Sequence, residues 1–338
     1  MPENILVTSV ADGNLPVDVR EDDLLALSPE VLCTLLRDHT TGHNIFWATH
    51  DYEVLGEGYG FFSPITPETI TGENGMVIRP RVLKSREQQT DRSKDMAEVF
   101  TPSWICNAQN NLVDEAWFGR KDVFNVPSED GKAWQSTQGK IEFPESKTWK
   151  DYVRATRLEI TCGEAPYLVS RYDTTTGNPI PLQERIGLLD RKLRVVSENT
   201  QNSSEWLEWA QIAFQNTYGY EWQGDNLLLA RENLLLSFIE YYREKFDKMP
   251  MEKSINYIAY IVSWNLWQMD GLKMVVPCSC KDGVTVMEQG LFGEQEHTLY
   301  CQGCQQDKIK LHNGTYCIIR DWRKPRDKQK ITFVSLLK

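Results

Sequence analysis

No stretch of this 338-residue chain approaches the run of about 18–20 apolar residues that a membrane span requires. The opening Met1-Pro-Glu-Asn4 lacks a basic segment followed by an apolar one, which predicts no secretory leader and a cytoplasmic protein. Positive charge is short: 37 Lys and Arg stand against 48 Asp and Glu, a net charge of −11. That balance excludes a strong, sequence-independent DNA binder, whose phosphate contacts need a basic face. A local basic run remains, Arg79-Pro-Arg-Val-Leu-Lys-Ser-Arg86 continuing to Arg92 and Lys94, and it reads as a solvated linker. Internal repeats and low-complexity tracts are absent. His39, His43 and His50 lie close in sequence but fit no metal motif, so they read as surface or core histidines. What is present, 41% apolar and 25% charged residues, is the composition of a folded chain large enough for two or three domains.

The chain divides into three regions. Residues 1–95 form an N-terminal α+β region: Asp22–Leu36 has helical periodicity and Asn44–Thr49 reads as a strand. Residues 96–272 change character. A helix is expected over Ser93–Asp114, restarted at Pro102 with Thr101 as its cap, and residues 126–148 read as a loop. From Thr156 strands and helices alternate, the signature of an open α/β sheet. Leu158–Thr161, Tyr218–Trp222 and Leu266–Met269 are the expected strands. Glu205–Asn216, Asp225–Phe246 and Ile255–Trp264 are the expected helices, the first with Asn202 as cap. Residues 273–338 hold five of the eight cysteines.

Such a sheet binds nucleotide-like ligands at the carboxyl ends of its strands. The run Arg157-Leu-Glu-Ile-Thr-Cys-Gly-Glu-Ala-Pro-Tyr-Leu168 is an apolar strand entering a small-residue turn, where Gly163 and Ala165 let backbone approach a ligand. Glu221 ends the next strand, where an acceptor can take ribose hydroxyls, and Trp222 can pack on a base. Asp270, followed by Gly271, ends the third and can accept from an exocyclic amine.

These pieces carry a resemblance. Val99-Phe-Thr-Pro102, with Phe100, Thr101 and Pro102, resembles the element preceding the cofactor domain in adenine-N6 DNA methyltransferases of restriction–modification systems. Cys162-Gly-Glu-Ala-Pro-Tyr-Leu168 resembles their cofactor turn, which implies S-adenosylmethionine contacts for Thr161, Cys162, Gly163, Glu164 and Ala165. Tyr218-Gly-Tyr-Glu221 with Leu229-Ala-Arg-Glu-Asn-Leu-Leu235 resembles their second motif, and Gln268-Met-Asp-Gly-Leu272 their third. The resemblance implies a Rossmann-like methyltransferase core, with Glu221 on the ribose and Asp270 on the adenine. It departs in two places. Ala165-Pro166 stands where the family has its second glycine, and the family's Asn/Asp-Pro-Pro-Tyr/Phe catalytic motif is absent. Ile331–Lys338 resembles the segment that often leads toward that motif. The expected function is therefore an S-adenosylmethionine-binding component. A partner, a second methyltransferase or specificity subunit, would supply the catalytic motif and most of the DNA contact. The alternatives are an inactive scaffold or cofactor sensor, and a methyltransferase acting on something other than DNA.

Cys278-Ser-Cys280 and Cys301-Gln-Gly-Cys304 form two close thiolate pairs, the donor set of a tetrahedral structural zinc. The small C-terminal region then reads as a zinc-knuckle-like insertion, in which His297, His312 or Cys317 can replace one ligand. Buried free cysteines and an iron–sulfur or redox site are the other readings. Pro277-Cys278 also matches the Pro-Cys nucleophile of cytosine-5 methyltransferases, but the flanking glycines are missing.

Overall fold

The computed structural model describes residues 17–86, 89, 90, 92, 101–290 and 293–337. The periodicity over Asp22–Leu36 resolves into two helices, α1 (Glu21–Leu27) and α2 (Pro29–Leu36). Pro29 disfavours helical backbone at the residue before it, and Ser28 is extended with φ −166°. The expected strand at Asn44–Thr49 forms only the isolated bridges Arg37–Asn44 and Phe46–Pro64. A side chain takes the place of a ladder there: Gln268 accepts from the Phe46 N–H at 3.0 Å and donates to its carbonyl at 2.8 Å. A short helix, α3 (Pro67–Ile70), follows.

Residues 93–100 lie outside the described residues, and the expected helix is described as α4 (Ser103–Phe118). Thr101 does not cap it. The Ser103 N–H donates to Asp173 Oδ2 at 2.8 Å, so a carboxylate from a distant loop closes this helix end. The loop expected over 126–148 contains an antiparallel pair, β1 (Asn125–Pro127) and β2 (Trp134–Ser136). Thr148 and Asp151 then form a capping box on α5 (Trp149–Arg154).

The alternation expected from Thr156 is present. In chain order it runs β3 (Arg157–Glu159), α6 (Leu188–Asn199), α7 (Ser203–Gln215), β4 (Thr217–Glu221), α8 (Gly224–Phe246), α9 (Glu252–Asn265) and β5 (Leu266–Gln268). The three strands form a parallel sheet in the order β3-β4-β5, registered Leu158↔Tyr218 and Gly219↔Leu266. All five residues of central β4 are buried, as a strand covered on both faces must be. Asn202 caps α7 by accepting the Glu205 N–H at 3.0 Å.

One apolar cluster extends from Val19 through Leu266, so the N-terminal helices share a core with the sheet, and α2 packs along α9. Helix α8 is buried nearly all round, and Asp225, Arg231 and Asn233 among its polar residues have defined partners. The Arg231 guanidinium donates to the carbonyls of Leu35, Arg37, Ser263 and Leu266, at the carboxyl ends of α2 and α9. Lys192 does similar work where β3 and β4 begin, donating to Ala155 O at 2.7 Å and Asn216 O at 3.0 Å.

Beyond β5 come the antiparallel pair β6 (Val284–Gly290) and β7 (Gly293–Leu299), helix α10 (Gln302–Gln306), and the pair β8 (Ile318–Arg320) and β9 (Lys330–Thr332). The last pair covers the second face of the sheet, where Tyr218, Tyr220, Trp267 and Met269 pack with Cys317, Ile319 and Phe333. No helix among the described residues is long and apolar enough to cross a membrane.

Candidate cofactor turn and metal centre

Strand β3 runs out into a turn with three left-handed residues, Thr161 (φ 45°), Gly163 (φ 52°) and Ala165 (φ 63°). Two are not glycine, and Thr161 is β-branched, so the turn holds backbone strain. It is fixed to β4. The Cys162 N–H donates to Tyr220 O at 2.8 Å, and the Gly163 N–H donates to Glu221 Oε2 at 2.8 Å. The other Glu221 oxygen accepts from the Gln223 N–H at 3.3 Å. The turn and the carboxylate that the sequence assigns to one site therefore touch. Burial raises the Glu221 carboxyl above its ordinary value, and these N–H groups oppose that rise.

Asp270 lies two residues beyond β5. Its Oδ1 accepts the N–H groups of Leu272 (3.0 Å) and Lys273 (3.1 Å), and its Oδ2 is 3.8 Å from Lys273 Nζ. A Cβ on Gly271 would come within 2.7 Å of the Tyr220 ring, so only glycine fits there. Trp222 is half-buried and donates from Nε1 to Ala48 O at 3.2 Å, which ties the strand end to the N-terminal region. Glu164 faces the core instead of the turn's open side. Its carboxylate accepts from the Arg81 N–H at 2.6 Å and from the Tyr172 hydroxyl at 2.6 Å. Thr101 reaches the same neighbourhood through the Tyr167 hydroxyl, which is hydrogen-bonded to it. Phe100 lies outside the described residues.

The sequence reading passed over Glu159. Its buried carboxylate accepts from the N–H groups of Tyr167 (3.3 Å) and Leu168 (3.2 Å), behind the turn. Burial, with some repulsion from Glu221, pushes it well above the usual carboxylate range. The available signal was a carboxylate inside an apolar strand, which requires partners.

The basic run is neither a linker nor a nucleic-acid patch at its two best-placed cations. Lys84 and Arg92 are buried and pair with Asp225, at 3.1 Å and 2.9 Å, beside the amino end of α8. Tyr52 donates to the same carboxylate at 2.7 Å, and Arg92 also reaches Gln223 at 2.6 Å. Lys94 lies outside the described residues. His39 stacks on Trp264 with ring centres 3.8 Å apart, and burial drives it down to about 3, so it is a neutral core histidine. His43 and His50 are exposed.

In the C-terminal region Cys280, Cys301, Cys304 and His312 converge, with all four ligand atoms within 4.8 Å of one another. His312 Nδ1 is 3.6, 3.5 and 3.6 Å from the three sulfurs in that order. Metal–sulfur bonds of about 2.3 Å and metal–nitrogen bonds of about 2.0–2.1 Å, at a tetrahedral angle, place sulfur and nitrogen roughly 3.6 Å apart. The donor set and its spacing can thus hold a metal such as zinc. Cys278, expected as a ligand, stands outside this group: it is exposed, with its backbone turned to φ 56°. His312 takes the fourth place. Cys317 is also outside the group, buried with its thiol on Gln268 O at 3.4 Å, and so is His297 on β7.

The surroundings shape this centre. A Cβ on Gly303 would meet the His312 ring at 2.5 Å. Tyr316 Oη accepts the His312 N–H at 2.9 Å and donates to Ile309 O at 2.7 Å. Asn313 bridges both backbone groups of Lys281, at 3.0 and 2.8 Å. Within this cluster burial and the neighbouring thiols push Cys280 up to about 12 and burial raises Cys304, while, against burial, N–H groups of Asn313 and Cys304 and the His312 ring bring Cys301 down to about 6.

Separately, a cavity of about 400 Å³ opens between the β2 loop, α6 and α8. Its cations are committed to protein partners: Arg185 to Glu240, Arg194 to Glu198, and Lys245 to Ser197 O. No protein-family model, curated protein or solved structure matches the chain.

Proposed function

We propose that the chain is the S-adenosylmethionine-binding component of an adenine-N6 DNA methyltransferase of the restriction–modification type, built on a Rossmann-like core and braced by a structural zinc. The observation that carries this reading is the contact between the Gly163 turn and Glu221 across adjacent parallel strands, with Asp270 following the third. In this reading Gly163 and Ala165 shape the turn, Glu221 takes the ribose hydroxyls, and Asp270 takes the adenine amine. Trp222 packs on the base, and Phe100, Thr101 and Pro102 close over the ligand. Two N–H groups use part of each carboxylate's capacity, since an ionised carboxylate has about four acceptor sites. The cofactor would supply the methyl group, and the protein's work is positioning and exclusion of water. The target amine needs an acceptor motif that the chain lacks, so a partner supplies it together with most of the DNA contact, in keeping with the acidic balance.

A second reading, a scaffold or cofactor sensor without catalysis, is favoured by the same missing motif and by carboxylates already engaged with the protein's own N–H groups. Titration calorimetry with S-adenosylmethionine tests the site common to both. Micromolar binding, lost in Glu221→Ala and in Asp270→Ala, supports it. Absence of binding by folded, zinc-replete protein at millimolar cofactor overturns it for the isolated chain. Methylation of adenine on addition of a partner carrying the Pro-Pro-Tyr motif separates the enzyme from the sensor.

A further inference from the structure

The segment that carries Asp270 and the segments that carry the metal ligands are laced together. The Asp270 N–H donates to Val275 O at 2.8 Å, and Val275 is bridged in turn to Tyr316. Val276 N–H donates to Thr315 O at 2.8 Å, and Cys317 N–H to Met274 O at 3.1 Å. Tyr316 completes the connection through its hydroxyl, which accepts the N–H of the ligand His312. Lys273 Nζ sits 3.8 Å from Asp270 Oδ2, within the same segment. Met274 (φ 60°) and Cys278 (φ 56°) occupy left-handed backbone without being glycine. Such strain persists only where surrounding structure over-determines it.

Without a metal, that over-determination weakens. Cys280 and Cys301 bracket the β6–β7 hairpin, which is largely exposed, and a two-stranded hairpin alone is marginal in water. A tetrahedral centre joins both ends of the hairpin to the His312 loop in one step.

We propose that metal binding at Cys280, Cys301, Cys304 and His312 fixes the Asp270–Val276 segment, so that Asp270 is placed for its ligand only in the metal-loaded protein. The part concerning the ligand rests on the proposed cofactor reading; the part concerning the segment does not. Linkage is reciprocal, so a ligand held by Asp270 must tighten metal binding by the factor by which metal tightens the ligand.

The experiment uses the full chain, zinc-loaded and stripped with a chelator, and reads amide hydrogen exchange together with S-adenosylmethionine calorimetry. Zinc removal is expected to speed exchange at Asp270 and Val276 at least tenfold while α8 amides keep their rates. Cofactor affinity should fall at least tenfold, and saturating cofactor should slow zinc loss to the chelator. Unchanged exchange at Asp270, equal cofactor affinity with and without zinc, or failure of the chain to take up one equivalent of zinc overturns the coupling. If zinc-loaded protein binds no cofactor yet Asp270 exchange still depends on zinc, the cofactor reading fails and the metal–segment link stands. Tyr316→Phe covers the case in which stripping unfolds the whole chain. With zinc bound it loses only the hydroxyl link, and about tenfold faster exchange at Asp270 with α8 unaltered is expected; no change there overturns the proposal.

Discussion

Asp225→Asn removes the carboxylate on which the N-terminal region is pinned to α8. Asp225 is fully enclosed, and Lys84 and Arg92, also enclosed, sit 3.1 and 2.9 Å from its Oδ2. Tyr52 donates to the same oxygen at 2.7 Å, and Arg92 has a second carboxylate in Asp51, at 2.8 Å and partly exposed. The group is balanced, with two cations facing two carboxylates. The substitution leaves one buried positive charge without a counter-charge, a change that costs about 3–5 kcal/mol. Urea unfolding followed by tryptophan fluorescence at pH 7 measures it. The double variant Asp225→Asn/Lys84→Met removes the excess charge and should recover at least about 1 kcal/mol over the single. A loss below about 1 kcal/mol in the single variant, or a double variant equal to the sum of its singles, would refute the reasoning. The pH dependence has a definite sign. Against desolvation, Arg92 and Lys84 hold Asp225 well below the ordinary carboxylate range. Its contribution is therefore present above pH about 4 and lost as pH falls toward the folded value, and the variant should lack that acid-side loss.

The carboxyls of Glu21 and Glu232 behave in the opposite sense. Burial pushes Glu21 up to about 8 and Glu232 well above its ordinary range, and repulsion between buried carboxyls adds to the rise. A raised folded value favours the protonated form, so this stability is full below pH about 4.5 and falls as pH climbs toward 8. The urea midpoint should drop between pH 5 and 8, and Glu232→Gln should flatten that slope; a flat wild-type profile would contradict it. Arg231→Met orphans the carbonyls of Leu35, Arg37, Ser263 and Leu266 and should cost about 3 kcal/mol after relief of the buried charge. A cost under about 1 kcal/mol in urea unfolding would mean those carbonyls find other donors. Thr161→Gly relieves a left-handed β-branched residue and should stabilise the chain by up to about 1 kcal/mol, read as a raised thermal midpoint; a lowered midpoint would show that the turn is not strained.

The periodic parts of the molecule were legible in advance. Tyr218–Trp222 reads as a strand and Thr217–Glu221 is one, because side-chain alternation and the flanking helical patterns are local properties of the chain. The Asn202 cap and the α8 span were legible for the same reason. The cysteine pair Cys301-x-x-Cys304 announced, through spacing alone, part of a cluster that can hold a metal, and the small residues of the 161–165 turn announced a tight bend.

What sequence could not determine is which distant group answers each buried polar atom. His312 stands where Cys278 was expected because Tyr316 and Asn313 carry its loop onto Cys301, a matter of packing between segments. Asp173 caps α4 in place of the adjacent Thr101, and Lys84 and Arg92 turn inward to Asp225 instead of outward to solvent. Periodicity selects the face a residue occupies. A buried charge or an open helix end must be satisfied by whatever the tertiary fold brings within hydrogen-bonding reach, and only the folded chain decides what that is.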